Sequence, residues 1–303
     1  MHQHYFKPII TQDVNVCGVK ATKWVNVSIN ESFEYLIVQL CTYRYKLRYS
    51  FVINLYIERC FRILADKDLG ELGNYFEGDM ILTAEQLRRI TEAKTTRNGL
   101  TNAETRWPNR TVVYRIVEDD FEEDHVKMIE DGMKEIANKS CIKFRPRKHS
   151  EEHSLMIQGS ERGCFSHVGY QPKPDEDGDN QQRLNLYKGC FRHGTIVHEL
   201  LHTLGFYHMQ STYNRDEYVK IMFENIEEDH RHNFEKYNND TVTDFGVEYD
   251  YASVMHYPAD AFSKNGEDTI IVLMANATIG QRVGMSESDV LKLNRMYCEQ
   301  RHS

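Results

Sequence analysis

The segment from His198 to His208, HELLHTLGFYH, sets three histidines and one glutamate at a spacing that suits a catalytic metal. His198 and His202 are four residues apart, so on an α-helix they leave the same face, one turn above the other. Glu199 follows the first histidine, where it can reach a metal-bound water without binding the metal. Gly205 can take a positive φ and end the helix in a sharp turn, which brings His208 back as a third ligand. Three protein ligands and one open position is the layout of catalytic zinc, whereas structural zinc is closed by four ligands. Leu200, Leu201, Leu204 and Phe206 supply the apolar surface that a buried helix needs.

The pattern HExxHxxGxxH resembles the metzincin zinc endopeptidases. That clan carries a methionine turn downstream, and SVMHY at Ser253–Tyr257 fits it, with Met255 as the turn residue. The form SxMHY is similar to the astacin family in particular. The resemblance implies one Zn2+ per catalytic domain, held by His198, His202 and His208. It also implies Tyr257 as a further ligand in the active form, swinging away to stabilise the transition state. The implied reaction is hydrolysis of peptide bonds in protein or peptide substrates. Zinc lowers the pKa of its water towards 7, Glu199 takes that proton and passes it to the leaving amine, and Tyr257 hydrogen-bonds the oxyanion. The implied fold is α+β and metzincin-like, a zincin. It has a twisted, mostly parallel sheet with an antiparallel edge strand, an active-site helix above the cleft, and a largely irregular lower subdomain with a C-terminal helix.

Upstream, FEGD at Phe76–Asp79 resembles the FxGD of astacin propeptides. In that family the aspartate occupies the open zinc position, so Asp79 is expected to be a zymogen switch, and a carboxylate oxygen is a competent zinc ligand. Thr83–Ala93 reads as a short helix with Thr83 as N-cap and Gln86 at capping-box spacing. It leads into a basic, turn-prone linker of the kind proteases cut. Cleavage after Arg97 by a trypsin-like protease leaves Asn98 as the mature N-terminus, about ten residues before Trp107, as the resemblance implies. The expected division is residues 1–66 as an N-terminal region, 67–97 as a propeptide and 98–303 as the peptidase domain.

Other elements must position these groups. Arg110–Val117, Ile142–Phe144 and Leu155–Gln158 read as strands, and Glu122–Ala137 as an amphipathic helix. Thr195–Leu204 is the metal-binding helix and Glu287–Met296 a closing helix. The alternating run Gln182, Arg183, Leu184, Asn185 and Leu186 reads as a strand. The resemblance makes it the edge strand that holds substrate in extended form.

The 303 residues carry 40% hydrophobic and 27% charged residues and a net charge of −9, which is a soluble, globular composition that argues against nucleic-acid binding. No apolar run is long enough to span a membrane. Four of the seven cysteines lie in the last two thirds. Sequence alone allows three pairings of these four, and the resemblance pairs Cys141 with Cys298 and Cys164 with Cys190. Glycosylation sequons at Asn26, Asn30, Asn109, Asn138, Asn239 and Asn276 join the disulfides in favouring a secreted glycoprotein, expected as a monomer. No secretory leader is visible, and residues 1–66 are read as an artefact of the gene model. One departure stands out: the family's glutamate after the third histidine, which anchors the mature N-terminus, is Met209 here. Thr212 and Asn214 also replace an arginine and an aspartate of the family pattern, while Arg215 and Asp216 remain. The competing reading, a catalytically silent protease-like binding protein, would be signalled by loss of a zinc histidine or of Glu199, and neither is lost.

Overall fold

The computed structural model describes residues 14–16, 19–21, 75–91, 103–149, 151, 153–171, 181–237 and 244–299. The chain divides into two compact units, Met1–Lys67 and Asp68–Ser303. In the first, β1 (Val14–Val16) pairs antiparallel with β2 (Val19–Ala21). Cys17, Cys41, Cys60 and the expected cleavage point after Arg97 lie outside the described residues.

The second unit is built on a six-stranded sheet. In spatial order its strands are β3 (Met80–Ile81), β7 (Cys164–His167), β8 (Gln181–Leu186), β6 (Ser154–Gln158), β4 (Thr111–Ile116) and β5 (Lys143–Pro146). From β5 to β8 all pairs are parallel, and β7 runs antiparallel to β8. β3 adds to the far side of β7 in parallel. β7 and β3 thus both run against the other four, and the mostly parallel sheet with an antiparallel edge is as expected.

Helix α1 (Ala84–Thr91) starts at a capping box. The Gln86 amide donates to Thr83 Oγ1 at 3.1 Å and the Thr83 amide to Gln86 Oε1 at 2.9 Å. Helix α2 (Glu123–Lys139) buries Ile129, Met133 and Ile136. It packs on α3 (His193–Thr203), whose residues from Gly194 to Thr203 are all buried. Gly132 permits the approach, since a Cβ there would lie 2.9 Å from Ile196 Cγ2. Helix α4 (Glu287–Tyr297) opens on a second capping box, Ser286 with Asp289. Cys298, at its end, is bonded to Cys141 just before β5, and Cys164 to Cys190. The first bridge closes 157 residues of chain, and withdraws about 3–5 kcal/mol of entropy from the unfolded state.

One large apolar cluster gathers the sheet and helices α2, α3 and α4, with Trp107 and Met255 inside it. A second lies in the less regular half that follows α3 and holds Met209, Phe234, Tyr257 and Phe262. Among its described residues is a small antiparallel pair, β9 (Val219–Ile221) with β10 (Ile270–Val272). Among the described residues no helix is long and apolar enough to cross a membrane.

The sheet order corrects one expectation. Gln182–Leu186 lies in β8, which is not an edge: β6 takes one side of its backbone and β7 the other. Its polar side chains are spent on neighbouring loops. Gln182 Nε2 donates to Gly169 O, Asn185 Nδ2 to Gly163 O, and Arg183 pairs with Glu161. The antiparallel edge belongs to β7, and β3 covers it.

Candidate active site

The end of α3 decides where the third histidine goes. Leu204 caps the helix, and Gly205 turns left-handed at φ 103°. The Gly205 amide donates to His202 O at 2.8 Å and the Phe206 amide to Leu201 O at 3.0 Å, the paired bonds of a Schellman ending. The same turn brings the Phe206 carbonyl to His202 Nδ1 at 2.7 Å. His198 Nδ1 meets the Val254 carbonyl at 2.8 Å.

These two contacts assign the ring protons. A carbonyl only accepts, so each Nδ1 carries the hydrogen and each Nε2 of a neutral ring presents a bare lone pair. The Nε2 atoms of His198 and His202 are 3.0 Å apart, and that of His208 is 3.3 Å from His198 Nε2. Bare lone pairs so close repel unless a cation lies among them. Tetrahedral zinc, with bonds of about 2.0–2.1 Å to nitrogen, sets its ligand atoms roughly 3.3 Å apart. The donor set therefore fits a single zinc ion, and the outer nitrogens are held as metal-ligating histidines require.

Asp79 completes the cluster. Its Oδ2 lies 3.2 Å from His198 Nε2 and 3.1 Å from His208 Nε2, and one ligand atom from each of the four residues falls within 4.8 Å of the others. The turn that delivers it uses Glu77 and Gly78 at φ 47° and 86°. Burial alone would raise the Asp79 carboxyl, but the imidazoles around it outweigh burial and hold the group well below the usual carboxylate range. Burial lowers His198, to about 3, which keeps its ring neutral.

The other expected residues surround this point. Glu199 is fully buried on α3. Met255 is buried, its amide bonded to Ser253 Oγ and its carbonyl to the amide of Met209, the residue after His208. The Tyr257 ring stands 4.7 Å from that of His208, and its hydroxyl donates to the Glu77 carbonyl at 2.5 Å. The segment Gln182–Leu186 is not brought to the histidines by any hydrogen bond that its described side chains make.

Comparison with known proteins decides the family. The family model for the astacin peptidases matches residues 99–298. The chain belongs to the astacin family. It is similar to seminal metalloprotease 1 of Drosophila melanogaster, at 41% identity over 235 residues, 76% of this chain and 89% of that protein. It is also similar to zinc metalloproteinase nas-4 of Caenorhabditis elegans, at 35% identity over 232 residues, 76% of this chain and 71% of the other. Among solved structures it resembles high choriolytic enzyme 1, a hatching enzyme zinc-protease from Oryzias latipes. There the TM-score is 0.59 at 33% identity, covering 67% of this chain and 98% of that one. The protein is thus an astacin-type zinc metalloendopeptidase with one zinc site.

Two features of this astacin escape its motifs. Glu77 is 1% exposed, and its carboxylate accepts from His208 Nδ1 at 2.7 Å and from the Tyr237 hydroxyl at 2.6 Å. Glu77 fills the variable position of FxGD, and Tyr237 stands in no motif, so nothing in the sequence marks either. The second feature is Met209. Its sulfur takes the buried Lys292 ammonium at 3.1 Å, so a cation already sits beside the residue that replaces the family's glutamate.

Proposed function

We propose that this chain is the inhibited precursor of a secreted zinc endopeptidase, with residues 67–97 as propeptide and 98–303 as catalytic domain. The observation that carries this reading is Asp79, whose carboxylate stands among the three histidines where a water would otherwise sit. Its main chain and that of β3, which directly follows it, fasten it beside β7: Ser166 N donates to Asp79 O at 2.9 Å and Val168 N to Ile81 O at 3.3 Å. The division at Asp68 and the family match from residue 99 support the boundaries. Two disulfides and exposed sequons at Asn109, Asn138 and Asn276 support secretion and glycosylation.

A bound zinc ion supplies an acidified water and a charge that polarises a carbonyl. The chain's own residues do the rest. Glu199 accepts the proton and delivers it to the leaving amine. Tyr257, released from the Glu77 carbonyl when the segment leaves, turns its hydroxyl to the oxyanion or to the metal. The freed edge of β7, with the amides of Ser166 and Val168, pairs with an extended substrate. Activation is by a protease cutting after Arg97, and the mature enzyme acts as a monomer.

The test compares intact chain, trypsin-treated chain and full-length Asp79→Asn on a denatured protein substrate, each with and without chelator. Trypsin treatment and Asp79→Asn should both raise a chelator-sensitive cleavage. Cleavage indifferent to chelator, or an intact chain as active as the treated one, overturns the reading.

A further inference from the structure

The three zinc histidines are not held alike. His198 and His202 have their outer nitrogens on main-chain carbonyls of the catalytic unit, Val254 and Phe206. His208 has its outer nitrogen on the Glu77 carboxylate, two residues before the blocking aspartate. Glu77 is itself fastened at three points. Tyr237 holds one carboxylate oxygen, His208 the other, and Tyr257 the carbonyl. It is held in the left-handed region at φ 47°, a conformation that non-glycine residues keep only when their surroundings fix it. A turn serving only to deliver Asp79 would need none of these side-chain contacts.

We infer that Glu77 is a positioning residue for the third zinc ligand, so that the outer shell of the metal site is shared between the catalytic domain and a segment that departs on activation. This rests on the zymogen reading above. A carboxylate on the outer nitrogen fixes the ring's orientation and tautomer and makes the coordinating nitrogen more basic, and losing such a partner typically weakens metal binding about 10–100-fold. The precursor thus holds its metal through two carboxylates with separate tasks. Asp79 fills the position facing the metal, and Glu77 braces His208 from behind. When the segment leaves, both go together, and His208 and Tyr257 lose these contacts with Glu77 in one event.

The experiment uses the full chain as wild type, Glu77→Gln, Glu77→Ala and Tyr75→Phe. The last removes a peripheral contact of the segment, Tyr75 to Glu161 at 3.3 Å, away from His208. Zinc loss into excess chelator gives the first readout, and the visible spectrum of the cobalt-substituted chain the second. Glu77→Ala should lose zinc about 10–100-fold faster than wild type, with Glu77→Gln, which keeps an oxygen acceptor, between them. Both should shift the cobalt bands, and Tyr75→Phe should not. Should Glu77→Ala fail to accumulate, Glu77→Gln and Tyr237→Phe carry the same comparison. Wild-type zinc loss in the Glu77 variants overturns the inference, as does faster loss with an unshifted cobalt spectrum. The zymogen reading is judged separately: if Asp79→Asn gains peptidase activity in the full chain, that reading stands whatever Glu77 does.

Discussion

Asp289 accepts the backbone N–H of Val254 at 2.9 Å, and the carbonyl of that same Val254 aims His198. The first turn of α4 is therefore wired to a zinc ligand through a single residue. Asp289 also takes Ser253 Oγ and the Ser286 amide, so its removal leaves several buried donors without acceptors. Asp289→Ala should lose about 3 kcal/mol or more of stability. Its zinc affinity should fall roughly tenfold, because His198 loses its fixed acceptor. Denaturant melts and chelator competition on the activated enzyme read the two effects.

Glu199 should separate metal binding from turnover. In activated Glu199→Ala, zinc content should stay at one ion per chain while kcat falls by about 10²–10⁴. Near-normal peptidase activity in this variant would remove Glu199 from the mechanism.

Gly205 bears on both the turn and the metal. At φ 103° a side chain is strained, so Gly205→Ala should cost about 1–3 kcal/mol. The acceptor for His202 Nδ1 is on the next residue, so zinc retention should drop along with the melting temperature. A variant that loses stability but keeps wild-type zinc affinity would show that the turn can be rebuilt around the metal.

Glu135 gives a pH signature. It pairs with Lys139 and His193 and accepts the Met285 amide. Burial pushes its carboxyl up, but these three partners outweigh burial and leave it below its ordinary value. A carboxyl lowered in the folded state stabilises the protein above its unfolded pKa, about 4.3, and that stabilisation fades as pH falls through the lowered value. Wild type should therefore exceed Glu135→Gln in stability at pH 6–7, and the gap should close as the pH drops below about 4. A gap constant from pH 7 to pH 3 would contradict the assignment.

Met209 stands beside a cation. Burial lowers the Lys292 ammonium below its ordinary pKa, but its charge is favoured by Asp289 nearby. Met209→Glu should pair with it and melt within about 5 °C of wild type. Met209→Lys should lose about 3–5 kcal/mol by placing two ammonium groups together in the interior. Equal melting temperatures for the two variants would mean that Lys292 does not face this position in solution.

What was legible in the sequence was local in origin. His198, Glu199 and His202 follow from helical spacing, Gly205 from the φ that only glycine takes easily, and the α1 capping box from Thr83 and Gln86. The methionine turn and both disulfides came through family resemblance, since spacing alone leaves the pairings open. The strand order was not legible. A buried strand and an edge strand can share the alternation seen in Gln182–Leu186, and β7 is only four residues long. The contacts of Glu77 with His208 and Tyr237 span 131 and 160 residues, and no local pattern encodes contacts that distant.

The bond between Cys141 and Cys298 reaches further than its loop. It anchors the last turn of α4, and the first turn of the same helix carries Asp289 and, through Val254, the aim of His198. The protein's redox surroundings are thereby linked to the bearing of one imidazole. In a reducing compartment the last turn of α4 would lose this anchor, and the helix that fixes Val254 and so aims His198 would lose a constraint with it.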